Sequence, residues 1–147
     1  MAGEALRTSD AGPAETAKGR RFEAVVSSGD MRPESHDGVE FSHRWTAEGV
    51  VVESAFTGAH LLHLSVAGCV LNGVHREAED LGVAVDGVRI SAWGDFDRET
   101  FQSTGVEYRV EINSNAGRSD IDRLIQTVDD VAEIPKCLRA EAEVRRG

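Results

Sequence analysis

Two cysteines, three prolines and a single tyrosine are all that this 147-residue chain carries of those types, and aromatic residues make up only 5% of it. Two cysteines allow at most one intrachain bridge, which excludes a disulfide-stapled scaffold. There is no CxxC, no HExxH and no close cluster of Cys and His, so the sequence points to no metal. Positive charge is also short. Sixteen Lys and Arg stand against 26 Asp and Glu, a formal charge of −10 with a pI near 4.9. A nucleic-acid partner held by phosphate contacts needs a positive field, and an anionic membrane surface needs the same, so both are disfavoured. Long apolar runs are missing too: the best, Leu61 to Val74, is broken by His63, Ser65, Gly68, Asn72 and Gly73 and is too short to span a bilayer. The opening MAGEALRTSD lacks the apolar core of a secretory signal, which favours a cytoplasmic protein.

What remains is ordinary for a globular domain, with 40% hydrophobic and 29% charged residues. Met1 to about Arg20 is small and polar and reads as a disordered tail, leaving one domain over residues 21–147. His60 to Gly82 is the segment long and apolar enough to be a central buried helix. Its apolar residues fall on nearly every face, HREAED forms its wet end, and Gly82 is placed to close it. Strands are expected at Phe22–Ser27, Val39–Trp45 and Val50–Glu53, the last pairing back on its predecessor. After the helix, Asp86-Gly87 turns the chain into a strand at Val88–Trp93. Val106–Asn113 alternates with Val106, Tyr108, Val110 and Ile112 inward. A second, amphipathic helix starts at Ser119 as N-cap and stops at Pro135. Leu138, Ala140, Ala142 and Val144 then mark a final strand. This order predicts an α+β fold, an antiparallel sheet packed on a long buried helix and a second amphipathic one. A helix apolar all round needs cover on several sides, which in so small a chain implies an obligate dimer.

The candidate for chemistry is Cys69. Free cysteine is among the most buried residue types, and Val66, Ala67, Gly68 and Val70 make a core-like setting. A reactive thiol needs a cation or helix N-terminus to stabilise its thiolate and a path for substrate. Cys69 is more than two turns into its helix, so the cation has to come from elsewhere. His75 follows six positions on, most of a half-turn off the same face, which disfavours a Cys-His pair within one chain. Trp45, Phe56 and Trp93 are expected in the core.

The run GAHLLHLSVAGCVLNGVHREAEDLGVAVDGVRISAWGDFD, followed by VEYRVEIN, a short helix and IPKCLRAEAEV, resembles the OsmC/Ohr family, the osmotically inducible and organic hydroperoxide resistance proteins. The likeness runs from about Phe22 to Arg145. It implies an intertwined homodimer with the long helices in the middle. It also implies cytoplasmic oxidative-stress defence by reduction of organic hydroperoxides at cysteine, with a dithiol reductant and no metal or cofactor. By this resemblance Cys69 is the reactive cysteine. The family's resolving cysteine precedes a proline. Matching Pro135 to that proline puts Ile134 in its place with Cys137 three residues on, whereas matching the cysteines leaves Cys137 followed by Leu138. The first match fits the terminal segment with less disruption. The family's glutamate, ten positions before its cysteine, falls on Ala59. Its arginine comes from the region ahead of the helix, where Arg32, in an irregular loop that can fold over a pocket, is preferred to Arg44. Two functions follow. One is a thiol peroxidase using Cys69, Cys137 and Arg32. The other is a non-catalytic dimer of the same fold that binds a small apolar ligand or serves in stress and has lost part of the active-site set.

Overall fold

A computed structural model describes the backbone of Glu4–Arg7 and all of residues 20–147. Strand β1 (Glu4–Arg7) is the part of the expected tail that is described; the rest of that stretch, apart from Arg20, lies outside the described residues. Strands β2 (Ala24–Gly29), β3 (Val39–Phe41) and β4 (Val50–Glu53) precede helix α1 (Gly58–Leu81). Strands β5 (Gly87–Phe96) and β6 (Ser103–Ser114) follow, then helices α2 (Arg118–Val131) and α3 (Glu133–Arg139). The six strands form one antiparallel sheet in the order β1-β6-β5-β2-β4-β3. The fold is α+β, as the pattern predicts. Helix α1 lies across β2 and β5, and α2 and α3 pack on α1.

Hydrophobic alternation fixes the register. Val88 faces Ile112 and Ile90 faces Val110 across β5 and β6, while Val26 sits opposite Ile90 on the other side. These side chains meet Val66, Val70, Leu71 and Val74 of α1, and Ile121, Leu124 and Val128 of α2 close the core from behind. Helix α1 begins at N-cap Thr57, whose hydroxyl accepts the His60 amide, and ends at Gly82 in the left-handed conformation with φ 69°. Among the described residues, no helix is long and apolar enough to cross a membrane.

Several expectations are corrected. The terminal strand does not form: Leu138 and Arg139 end α3, and the following residues, Val144 among them, are exposed. Alternation among alanines offers too little apolar surface to hold a strand on the sheet. Pro135 does not simply stop the second helix. Ala132, extended at φ −61° and ψ 122°, breaks the chain into α2 and α3, and Pro135 sits in the first turn of α3, where a missing N–H costs nothing. Gly117, not Ser119, is the N-cap of α2. The Val39–Trp45 strand is only three residues long, and all three are exposed because β3 is a sheet edge with an open face. Phe56 is 87% exposed rather than in the core, and Trp45 and Trp93 are only half-buried. Glu111 and Arg109, expected in water, are buried, with Arg89 3.6 Å from Glu111.

Candidate active site

Cys69 lies midway along α1, half-buried, and packs against the core. Its sulfur accepts a hydrogen bond from the backbone N–H of Ile134 at 3.4 Å. The first N–H groups of a helix have no partner within it, and α3 satisfies one of its own on this sulfur. Two side-chain clamps hold α3 in place. At its start, Glu133 meets Arg76 of α1 at 3.3 Å. At its end, Arg139 donates to the Asp129 carboxylate at 2.9 Å and to the Asp129 carbonyl at 3.2 Å, and the Tyr108 hydroxyl donates to the same carboxylate. Burial first, and then the Asp129 carboxylate, push the Tyr108 phenol above its usual range, so it stays a donor. The Tyr108 bond and Arg139 hold Asp129 below the usual carboxylate range.

Between α1, β6 and α3 runs an apolar cleft of about 270 Å³. Leu62, Val66, Val106, Tyr108, Pro135 and Leu138 line it, with Arg139 at its wall. Cys69 is one helical turn beyond Val66, and Ile134 is the neighbour of Pro135, so the Cys69–Ile134 contact joins α1 and α3 next to the cleft's wall residues. An apolar chain with one polar end fits such a lining.

Among the described residues, none of the other expected site residues is hydrogen-bonded to this sulfur. Cys137 is exposed on α3, and both cysteines are free thiols. Arg32 pairs with Glu40 on β3. Its loop follows Ser28, which meets α1 at His75, six residues beyond Cys69. Ala59 is in the first turn of α1, where there is no acidic residue. His60 serves the helix cap, its ring bonded to the Thr57 hydroxyl at 2.7 Å. Sequence reasoning missed Tyr108, Asp129 and Arg139 as a group, because Arg139 was assigned to a strand. Its signal was present in the match of Pro135 to the family's proline, which puts Ile134 where the structure finds a contact with Cys69.

A second polar cluster stands beside the first. His75 is buried and bonded to the Ser28 hydroxyl at 2.8 Å, with the His43 ring 5.2 Å away edge-on. His43 in turn bonds Thr46 at 2.7 Å and Asn72 at 2.9 Å. Burial, with His43 beside it, lowers the His75 pKa to about 4 against a weak opposing pull from Glu48.

The OsmC-like protein family matches residues 52–145, which hold α1, the cleft and both cysteines. The chain belongs to the OsmC-like family. Among solved structures, an OsmC-like hydroperoxide resistance protein from Jannaschia sp. CCS1 is similar, with 17% identity over 86% of this chain and 93% of that one and a TM-score of 0.45. No curated protein matches the chain.

Proposed function

We propose that this OsmC-like protein is a thiol-dependent reductase of organic hydroperoxides, acting in the cytoplasm as a homodimer, with Cys69 as the residue that meets the peroxide. The observation that carries this reading is a half-buried cysteine one helical turn from Val66 of the apolar cleft, its sulfur already receiving an N–H donor. The Ile134 N–H holds the sulfur in one position, at the junction of α1 and α3. The Cys69 thiolate attacks the outer peroxide oxygen, the O–O bond breaks, and the alcohol leaves with a proton. Cys69 is then a sulfenic acid. A thiol condenses with it to a disulfide and water, and a second thiol releases reduced Cys69. Cys137 or an external dithiol supplies the first of these. Arg32 is assigned to the thiolate once its pair with Glu40 opens.

The test is consumption of cumene hydroperoxide by the reduced protein with a dithiol present. Cys69→Ser is expected to fall to the uncatalysed rate, and turnover that survives in it overturns the reading. Arg32→Ala is expected to slow peroxide consumption while leaving disulfide reduction unchanged. A second reading, a non-catalytic member that uses the cleft to bind an apolar ligand, draws on Ala59 and the lack of any acidic residue in the first turn of α1. It predicts ligand binding that is indifferent to Cys69→Ser.

A further inference from the structure

Where matching Pro135 to the family's proline would put a resolving cysteine, this chain has Ile134, and its side chain has no thiol. Its backbone nitrogen is nevertheless 3.4 Å from the Cys69 sulfur, to which it donates a hydrogen bond. Helix α3 is fastened to α1 through Glu133 and to α2 through Arg139, so this contact is held rather than incidental. The Ile134 N–H belongs to the first turn of α3, and losing its hydrogen breaks no bond of the helix ladder. Cys137 is exposed three residues further on. A sulfenic acid formed on Cys69 therefore meets an amide nitrogen before it meets a second thiol.

The geometry points to a cyclic sulfenamide between Cys69 Sγ and the Ile134 backbone nitrogen as the resting oxidised form of this site, an inference that rests on Cys69 being the residue that meets the peroxide. The hydroperoxide oxidises Cys69 to the sulfenic acid and is itself reduced to the alcohol. The Ile134 nitrogen then attacks sulfur, the S–O bond breaks, and the hydroxyl leaves as water with the amide proton. Sulfur keeps the same oxidation level in this second step, so no further oxidant is needed. Reversal uses the same thiol reductant as turnover. One thiol attacks sulfur, the S–N bond breaks and the nitrogen regains its proton, leaving a mixed disulfide; a second thiol frees Cys69. Such a link protects the sulfur from irreversible oxidation when reductant is scarce.

The experiment uses the full chain carrying Cys137→Ser, treated with one equivalent of cumene hydroperoxide and weighed intact without reductant. The expected product is about 2 Da lighter than the reduced protein, from one oxygen gained and one water lost. Its digest contains a peptide joining position 69 to position 134, and dithiothreitol restores the starting mass. A product about 16 Da heavier that dimedone captures, or a Cys69 disulfide between two copies, with no lighter species, overturns the sulfenamide and leaves Cys69 as the peroxide-reactive residue. Unchanged mass with the peroxide intact overturns the reactive role of Cys69 itself. Ile134→Pro, which has no amide hydrogen, is expected to lose the lighter species and accumulate the heavier one. Persistence of the lighter species in that variant also overturns the inference. Should that variant fail to fold, the mapped peptide in Cys137→Ser decides the question alone.

Discussion

The spacing of His75 from Cys69 disfavours a pair between them within one chain, but nothing around it in the sequence names Ser28, 47 positions away, as its partner. The bond depends on β2 lying against α1, a long-range contact that periodicity does not encode. Its consequence is acid sensitivity. The folded chain holds His75 at about 4, whereas the unfolded chain binds its proton near 6.5. Between those values the unfolded state carries more protons, so the contribution of His75 is complete above pH 6.5 and is lost as pH falls toward 4. Allowing for solvent at the ring edge, that contribution is about 2 kcal/mol. Carboxylates titrate nearby in pH, so the measurement is a difference. Urea midpoints of the wild type and His75→Gln at pH 7.5 and pH 4.5 are expected to converge on acidification. Parallel losses in the two proteins would show that His75 takes no part.

At the scale of elements, α1 was readable nearly to the residue because its end carries an unambiguous signal, a charged run and then Gly82. The terminal helix α3 was not readable. Pro135 signals a break when the chain ahead of it is helical, and only the backbone of Ala132 reveals that a new helix opens there. That displacement carried Cys137 and Arg139 out of their expected setting, which is why the site was less legible than the fold. Within α1, Gly73 was readable only as an interruption, yet α2 packs closely against it. A methyl group added there would stand 3.0 Å from Val128 Cγ1, whose side chain is buried and β-branched. Alanine in a helix gains about 1 kcal/mol over glycine, while overpacking a tight core costs about 1–3 kcal/mol. Gly73→Ala is therefore expected to destabilise by about 1 kcal/mol net. Thermal melting checks it, and a variant more stable than wild type would show that α2 shifts freely on α1.

The whole molecule raises the matter of what covers the far side of α1. Leu61, Leu64, Gly68 and Asn72 follow one another at helical spacing on a stripe that neither the sheet nor α2 buries. Phe41, 55% exposed, and Phe56, 87% exposed, border it, and together they leave a broad apolar surface open to water. A patch of this kind on a monomer marks an interface, and the all-round apolar helix of the sequence has its explanation here if a second α1 lies on it. Each copy carries a charge of −10, so the association works against repulsion that salt screens within about 8–10 Å. Sedimentation velocity is expected to find a dimer that tightens as salt is raised, and Phe41→Asp or Leu61→Asp to give monomers that remain folded. Gly68→Ala separates the interface from the fold. Among the described residues, nothing beyond the helix's own neighbouring residues comes within 4 Å of a methyl group there, so the variant should melt no lower as a monomer, since alanine favours the helix by about 1 kcal/mol. Against a second helix packed on that glycine, the same methyl should weaken the dimer about tenfold, which about 1.4 kcal/mol of overpacking produces. A dimer indifferent to Gly68→Ala and to both aspartate variants would place the interface elsewhere and leave the stripe uncovered.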